Sequence, residues 1–297
     1  MKRFMPVVLS LMLILAVMFA VPEFMRHERR QSSEIIKLRN EVRVLTAKMD
    51  EVQLLMARMQ DNSEGELFRK TCENYALMGG INYLAVGNSI TLHKICDYWW
   101  SECGMAASET SKDYFHLVTD ELKKHNENVN SFAYGSAVWE ILTHDRSEAI
   151  ALIDPYLNEY INLITIQLGE NVLDLSTFED DYAYLLAHIK QKCPNAQIIS
   201  VSDFWQNGER DNMKTRAAEK SSVRIADISA IKDNPDYMCG IDSKVKGEDG
   251  EIHLVKHAGV ARHPGDKGMK YIADKIIERI DFTELNANKR KEQMNHE

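Results

Sequence analysis

Ile81-Asn82-Tyr83-Leu84-Ala85-Val86-Gly87-Asn88-Ser89-Ile90-Thr91 is the stretch from which the fold of this 297-residue chain is read. Its apolar and β-branched residues, closed by glycine and asparagine, predict a buried strand from Ile81 to Val86 that stops at a turn. Further along the chain, Val129 to Tyr134, Ile161 to Leu168 and Ala196 to Val201 have the same character. Segments of helical period, such as Tyr114 to Lys124 and Tyr182 to Lys192, stand between them. Strand and helix in alternation are the pattern of a parallel sheet covered by helices. A weaker fifth run, Ser222 to Ile228, precedes a polar stretch from Gly240 to Gly250 that reads as a loop or hairpin. Gly268 to Ile280 then reads as an amphipathic closing helix. The expectation is an α/β fold, a three-layer α/β/α sandwich with a mostly parallel five-stranded sheet, over residues 81–282. A linker over 61–80 precedes it and a polar tail over 283–297 follows.

The N-terminal part has a different grammar. From Phe4 to Met25 the only charge is Glu23, and Leu, Val, Met and Ala dominate. Such a run is long enough to cross the roughly 30 Å of bilayer hydrocarbon as a helix. The alternative is a cleaved signal peptide, which the bulky Met18 disfavours at the position where a small residue is wanted. Residues 1–30 are therefore read as an uncleaved signal-anchor. Basic residues flank both sides, so the large domain after a short N-terminal tail decides the orientation, with the domain outside the cytoplasm. Localisation at the cell membrane as a single-pass protein follows. Ile35, Leu38, Val42, Leu45, Met49, Val52, Met56 and Met59 then alternate spacings of three and four, the seam of a coiled coil over 31–60 and of a homo-oligomer. Asp61 to Gly65 breaks the heptads.

Composition narrows the function. With 44% hydrophobic and 27% charged residues, 14 Gly and 6 Pro, the chain is neither collagen-like, disordered nor polytopic in a membrane. The net charge is −9 although residues 1–60 are basic, so the folded part is acidic and nucleic acid is not an expected partner. Five cysteines, odd in number and without a Cys-x-x-Cys pair, give no disulfide framework; Cys96 and Cys103 are the one pairing to consider, with free buried cysteine the commoner state. His253, His257 and His263 lack an accompanying acidic ligand pattern, so no metal site is expected, and nothing calls for a cofactor.

In parallel sheets ligands bind beyond the carboxyl ends of the strands. Those positions hold Gly87-Asn88-Ser89 after the first run, Gly135-Ser136 after the second, Gly169-Glu170-Asn171 after the third, and Arg262-His263-Pro264-Gly265-Asp266 before the last helix. Seen singly, Ser89 suits a helix N-cap, the glycines and Asn171 suit turns, and His263 a helix entry. As an ordered set they resemble the SGNH/GDSL hydrolase superfamily, whose Ser, Gly, Asn and His fall in that order at strand ends, over roughly residues 81–280. The resemblance implies a serine esterase with Ser89 as nucleophile and His263 as base. It also implies an oxyanion hole from the backbone N–H groups of Ser89 and Gly135 and the Asn171 amide.

Those residue types suit that chemistry. A serine hydroxyl needs a neighbouring base, histidine is the side chain that titrates nearest neutrality, and a tetrahedral intermediate needs donors aimed at its oxyanion. The implied substrate is an acylated small molecule, glycan or lipid. An acyltransferase acting on a sugar acceptor and a non-catalytic glycan-binding surface protein are the alternatives. Two positions depart from the superfamily's pattern. Asn88 stands in place of the usual Asp, and Val260 occupies the place three residues before the histidine where an Asp usually orients the ring. A main-chain carbonyl within Gly259 to Ala261 is the expected partner of His263, with Asp227 and Asp242 as distant rivals and Asp266 as a cap of the last helix. Tyr98, Trp99 and Trp100 read either as core aromatics or as a platform for a sugar or acyl group.

Overall fold

The computed structural model describes residues 63–142 and 146–285, all within one compact unit, Met56–Glu297. The expected anchor over 1–30, the coiled coil over 31–60 and residues 286–297 of the expected tail over 283–297 lie outside the described residues, while residues 282–285 form a helical turn whose Leu285 is buried in the core. Among the described residues no helix is long and apolar enough to cross a membrane.

Residues 61–80, read as a linker, contain a helix over 63–77, here α1. Phe68 and Cys72 bury one of its faces against the sheet, and the buried Asn82 amide donates to the Cys72 carbonyl at 3.1 Å. A polar break in the heptads hides this helix from a reading of periodicity, because only Phe68, Cys72 and the small Ala76 are buried side chains along it.

Next come β1 (Ile81–Gly87), α2 (Tyr114–His125), β2 (Val129–Gly135), α3 (Ala137–Ile141), α4 (Ser147–Ile153) and β3 (Leu163–Gln167). They are followed by α5 (Phe178–Lys192), β4 (Gln197–Val201), α6 (Gly208–Lys220) and β5 (Arg224–Ala226). A hairpin of β6 (Lys244–Lys246) and β7 (Ile252–Leu254), the single turn α7 (Ala258–Ala261) and α8 (Asp266–Ile277) complete the order. The five main strands are all parallel and lie in the order β2-β1-β3-β4-β5. β1, buried along its whole length, carries no alternation because both faces are covered. Leu84 and Val86 enter one core with α4, α5 and α6, whereas Tyr83 and Ala85 enter the other with α2 and α8. The fold is thus α/β, with a five-stranded parallel sheet between two helical layers.

A third, smaller core lies outside the sheet. Trp99, Cys103, Met105 and Ala106, from the long connection between β1 and α2, pack on Val245, Val255, Val260 and Ala261 around the hairpin. Trp99 is therefore a core residue. Asp266 is the first residue of α8 and Gly265 its cap; the carboxylate, instead of capping, accepts from the Ser108 N–H and hydroxyl, both at 2.7 Å. It ties the same long connection to the start of the last helix.

Candidate active site

Register brings the candidate residues together. Gly87, the last residue of β1, pairs with Gly135 at the end of β2 on one side and with Gln167 at the end of β3 on the other. Ser89, Gly135 and Asn171 therefore sit within a few residues of one point on the sheet edge, where the strand order changes direction and crevices form. Gly87 has to be glycine, since a Cβ there would lie 1.8 Å from Thr91 Oγ1. After it the chain turns without entering a helix. Asn88 Oδ1 accepts from Ile90 N at 3.0 Å, and the Asn88 carbonyl takes the N–H groups of Thr91 and Leu92, which leaves Ser89 at the turn's tip.

His263 reaches Ser89 from the far end of the sequence. Its loop is pinned to the segment before the hairpin by Cys239 N donating to the His263 carbonyl at 2.9 Å and Gly240 N donating to the Ala261 carbonyl at 2.8 Å. Ser89 Oγ lies 2.8 Å from His263 Nε2, and His263 Nδ1 lies 2.8 Å from the Gly259 carbonyl oxygen. A carbonyl can only accept, so Nδ1 carries the proton and Nε2 is left to accept from the serine. Trp205 and the His263 ring meet in a T-shaped contact with centroids 4.9 Å apart. The ring keeps part of its surface in solvent yet is densely surrounded, and this burial, opposed by the Gly259 carbonyl and reinforced by His93, His257 and Arg262, pushes its pKa down to about 4. Asp227 and Asp242 are engaged elsewhere, with Ser229 N at 2.8 Å and with Lys256.

Val260, at the place of the absent Asp, points into the third core, and the one-turn helix α7 presents the backbone of Gly259 to the ring instead. His257 caps that turn and stacks on Tyr98 at 4.4 Å, while Trp100 stacks on His253 at 4.4 Å. Tyr98 is thus the exposed member of the aromatic trio. All five cysteines are free, Cys96 and Cys103 among them. Among the described residues no group of His, Cys, Asp or Glu is arranged to hold a metal ion.

Beneath the surface residues lies a buried polar layer that the strand-end motifs do not announce. Asn171 Nδ2 donates to Glu140 Oε2 at 2.6 Å, and Gly169 N donates to Glu140 Oε1 at 2.5 Å. Gly169 has φ +133°, a conformation that only glycine adopts easily, so the turn carrying Asn171 depends on it. Glu170 accepts from Phe204 N at 2.8 Å and from Gln167 Nε2 at 2.6 Å. Asp203, fully buried, is held by Arg210 and by Lys214 Nζ at 2.9 Å, and Lys214 also donates to the Leu168 carbonyl at 2.6 Å. Burial, then the neighbouring Asp203, lifts the Glu170 carboxyl to about 7, against the pull of Lys214. Burial works to raise Asp203 as well, but Lys214 and Arg210 outweigh it and hold that carboxyl low. Glu170 is visible in the quoted Gly-Glu-Asn. Arg210 and Lys214, four apart and followed by the buried Ala217 and Ala218, mark one helix face.

No protein-family model matches the chain, and no curated protein matches it. Solved structures do. The chain is similar to phospholipase A1 from Streptomyces albidoflavus NA297, at 15% identity and a TM-score of 0.44 over 68% of this chain and 100% of that one. It is similar to a two-domain esterase active on acetylated mannans, at 15% identity and a TM-score of 0.46, over 74% of this chain and 53% of the esterase. A protein from Bacteroides uniformis ATCC 8492 described as a GDSL-like lipase is similar at 15% identity and a TM-score of 0.45, over 69% of this chain and 98% of that one. The structures to which this chain is similar are lipases and esterases, GDSL-like ones among them, and it is the SGNH/GDSL superfamily that its ordered Ser89, Gly135, Asn171 and His263 resemble.

Proposed function

We propose that this chain is a serine hydrolase of carboxylic esters. The observation that carries the reading is the dyad: Ser89 Oγ is 2.8 Å from His263 Nε2, whose ring is oriented by the Gly259 carbonyl. Ser89 Oγ attacks the ester carbonyl while Nε2 takes its proton. The oxyanion is received by the N–H groups of Ser89 and Gly135 and by the second N–H of the Asn171 amide, the first being held by Glu140. Collapse returns the proton from the imidazolium to the leaving alcohol and leaves an acyl group on Ser89. Water, deprotonated by the same nitrogen, then releases the acid and regenerates the serine. The acylated substrate is a glycan or lipid outside the cytoplasm, a placement that rests on the apolar run from Phe4 to Met25. The seam from Ile35 to Met59 supports a homo-oligomer of tethered domains.

The test is hydrolysis of p-nitrophenyl acetate by the full-length chain, together with labelling by a fluorophosphonate. Turnover, and a label mapped to Ser89 that Ser89→Ala abolishes with its circular dichroism unchanged, is the expected result. Ser89→Ala turning over within about threefold of the native chain would refute the nucleophile assignment. A rate that depends on added sugar acceptor would mark the transferase alternative.

A further inference from the structure

Asn88 sits between two buried carboxylates. Its Nδ2 lies 3.0 Å from Glu140 Oε1 and 2.6 Å from Glu170 Oε2, while its Oδ1 accepts from Ile90 N at 3.0 Å. Each polar group of the side chain is therefore used, and the orientation of the amide is fixed by its partners: an oxygen facing the carboxylates would repel both. Glu140, 2% exposed, spends its own oxygens on the same neighbourhood. Oε1 accepts from Asn88 Nδ2 and Gly169 N, and Oε2 accepts from Asn171 Nδ2. An apolar residue would fill this space without the penalty of burying a carboxylate, yet the carboxylate is present, and apart from the bond from Asn88 its bonds lead to the turn that presents Asn171.

We propose that Glu140 is a positioning residue of the oxyanion site, acting through Asn171, and that it can act so only because an amide and not a carboxylate separates it from Glu170 at position 88. This rests on the hydrolase reading above. Glu140 fixes one N–H of the Asn171 amide, and since the two N–H bonds of a planar amide diverge at a fixed angle, it thereby aims the other at the oxyanion. Asn88 keeps the two glutamates apart and, through Ile90 N, shapes the turn on which Ser89 stands. One side chain thus couples the nucleophile's turn to the oxyanion donor's turn. An aspartate at 88 would bring three carboxyl groups into contact. The charged groups facing them are Asp203, Arg210 and Lys214, the last two already committed to Asp203, with the neutral phenols of Tyr114 and Tyr182 on the two helical layers. Among the described residues no further cation faces the trio to offset a third negative charge, so it would have to retain protons or move apart.

Kinetics of the full-length chain with p-nitrophenyl acetate from pH 5.5 to 8.5 test this, with fluorophosphonate labelling of Ser89 as a second readout. Removing an oxyanion donor outright costs about 10²- to 10³-fold in kcat, so misaiming one through Glu140→Gln is expected to cost roughly tenfold to 10²-fold, with KM changed by less than about threefold. Asn88→Asp is expected to lose as much, and its rate relative to the native chain should fall about tenfold further across the range as the added carboxyl ionises. A purely structural defect would not give that pH slope or spare KM. Native chain that turns over and labels, with both variants within about threefold of it at every pH, overturns the positioning role alone. Native chain that neither turns over nor labels overturns the hydrolase reading and the positioning role with it.

Discussion

Val260→Asp places a carboxyl where the resembled superfamily keeps the acid that orients its histidine, and the structure says that it would not become one. The Val260 side chain is fully buried in the cluster with Trp99, Cys103, Met105, Val245 and Val255, whereas it is the neighbouring Gly259 carbonyl that meets His263. Replacing it loses the transfer free energy of a buried valine, about 2 kcal/mol. The new carboxyl must also stay protonated in an apolar cluster, which at pH 7 costs about 1.4 kcal/mol for each unit above its unfolded pKa of about 3.9, or about 4 kcal/mol. The total, about 6 kcal/mol, is a large part of the ~5–15 kcal/mol that stabilises a typical domain. The sign with pH follows from proton binding. The folded state would hold a proton that the unfolded state releases above its pKa, so the damage grows as pH rises and should be smaller at pH 5 by about 2.7 kcal/mol. Urea denaturation followed by circular dichroism at the two pH values, with ester turnover measured beside it, is the assay. The expected result is a midpoint lowered at both pH values and more at pH 7, with no gain in kcat. A variant as stable as the native chain at pH 7, with kcat raised tenfold or more, would show that an acid at 260 reaches the ring, and would refute the backbone-partner reading.

With His263 pushed down to about 4, the neutral imidazole that the proposed mechanism uses as base persists far into acid. kcat/KM is expected to stay level from pH 8 to about 5 and to halve near pH 4, whereas an acid limb centred at about 6.5 to 7 would contradict it. Lys214→Met leaves the fully buried Asp203 with Arg210 alone, and the uncompensated charge should cost about 3–5 kcal/mol in urea denaturation. A loss below about 1 kcal/mol would mean that Arg210 suffices by itself.

The sheet was legible because its strands, covered on both faces, are uninterrupted apolar runs that end in turn residues. Their order along the chain places the turns on one edge whatever the loops do. Boundaries slipped where packing and not pattern decides: the third run was read from Ile161 although pairing starts at Leu163, and α8 begins at Asp266 and not at Gly268. Ser89, Gly135 and Asn171 at or just after strand ends, with His263 ahead of the last helix, were legible as an ordered set. What lies under them was not, since Glu140, Asp203, Arg210 and Lys214 are residue types that a sequence assigns to solvent, and only the ion pairs of Asp203 with Arg210 and Lys214, and the amide and backbone donors around Glu140, make their burial tolerable. Val260 was legible as a departure. Its cause was not, because the third core is assembled from two loops more than a hundred residues apart.

A histidine without a carboxylate partner changes how catalysis is divided in the proposed mechanism. A base with a pKa of about 4 is neutral in nearly every molecule at pH 7, which keeps the dyad armed. Relative to an ordinary imidazole it is also a weaker base, with less driving force for taking the serine proton. An aspartate would stabilise the imidazolium as it forms. Here the negative charge that stabilises the imidazolium is the oxyanion itself, which exists only as the proton moves. Stabilisation confined to the transition state is the kind that raises kcat. It demands that the oxyanion be held at a fixed place beside the ring, because a charge a few ångströms out of position would stabilise neither partner. In that mechanism the turn from Gly169 to Asn171, shaped by a backbone angle that favours glycine and held from below by Glu140, would be the physical counterpart of the missing acid.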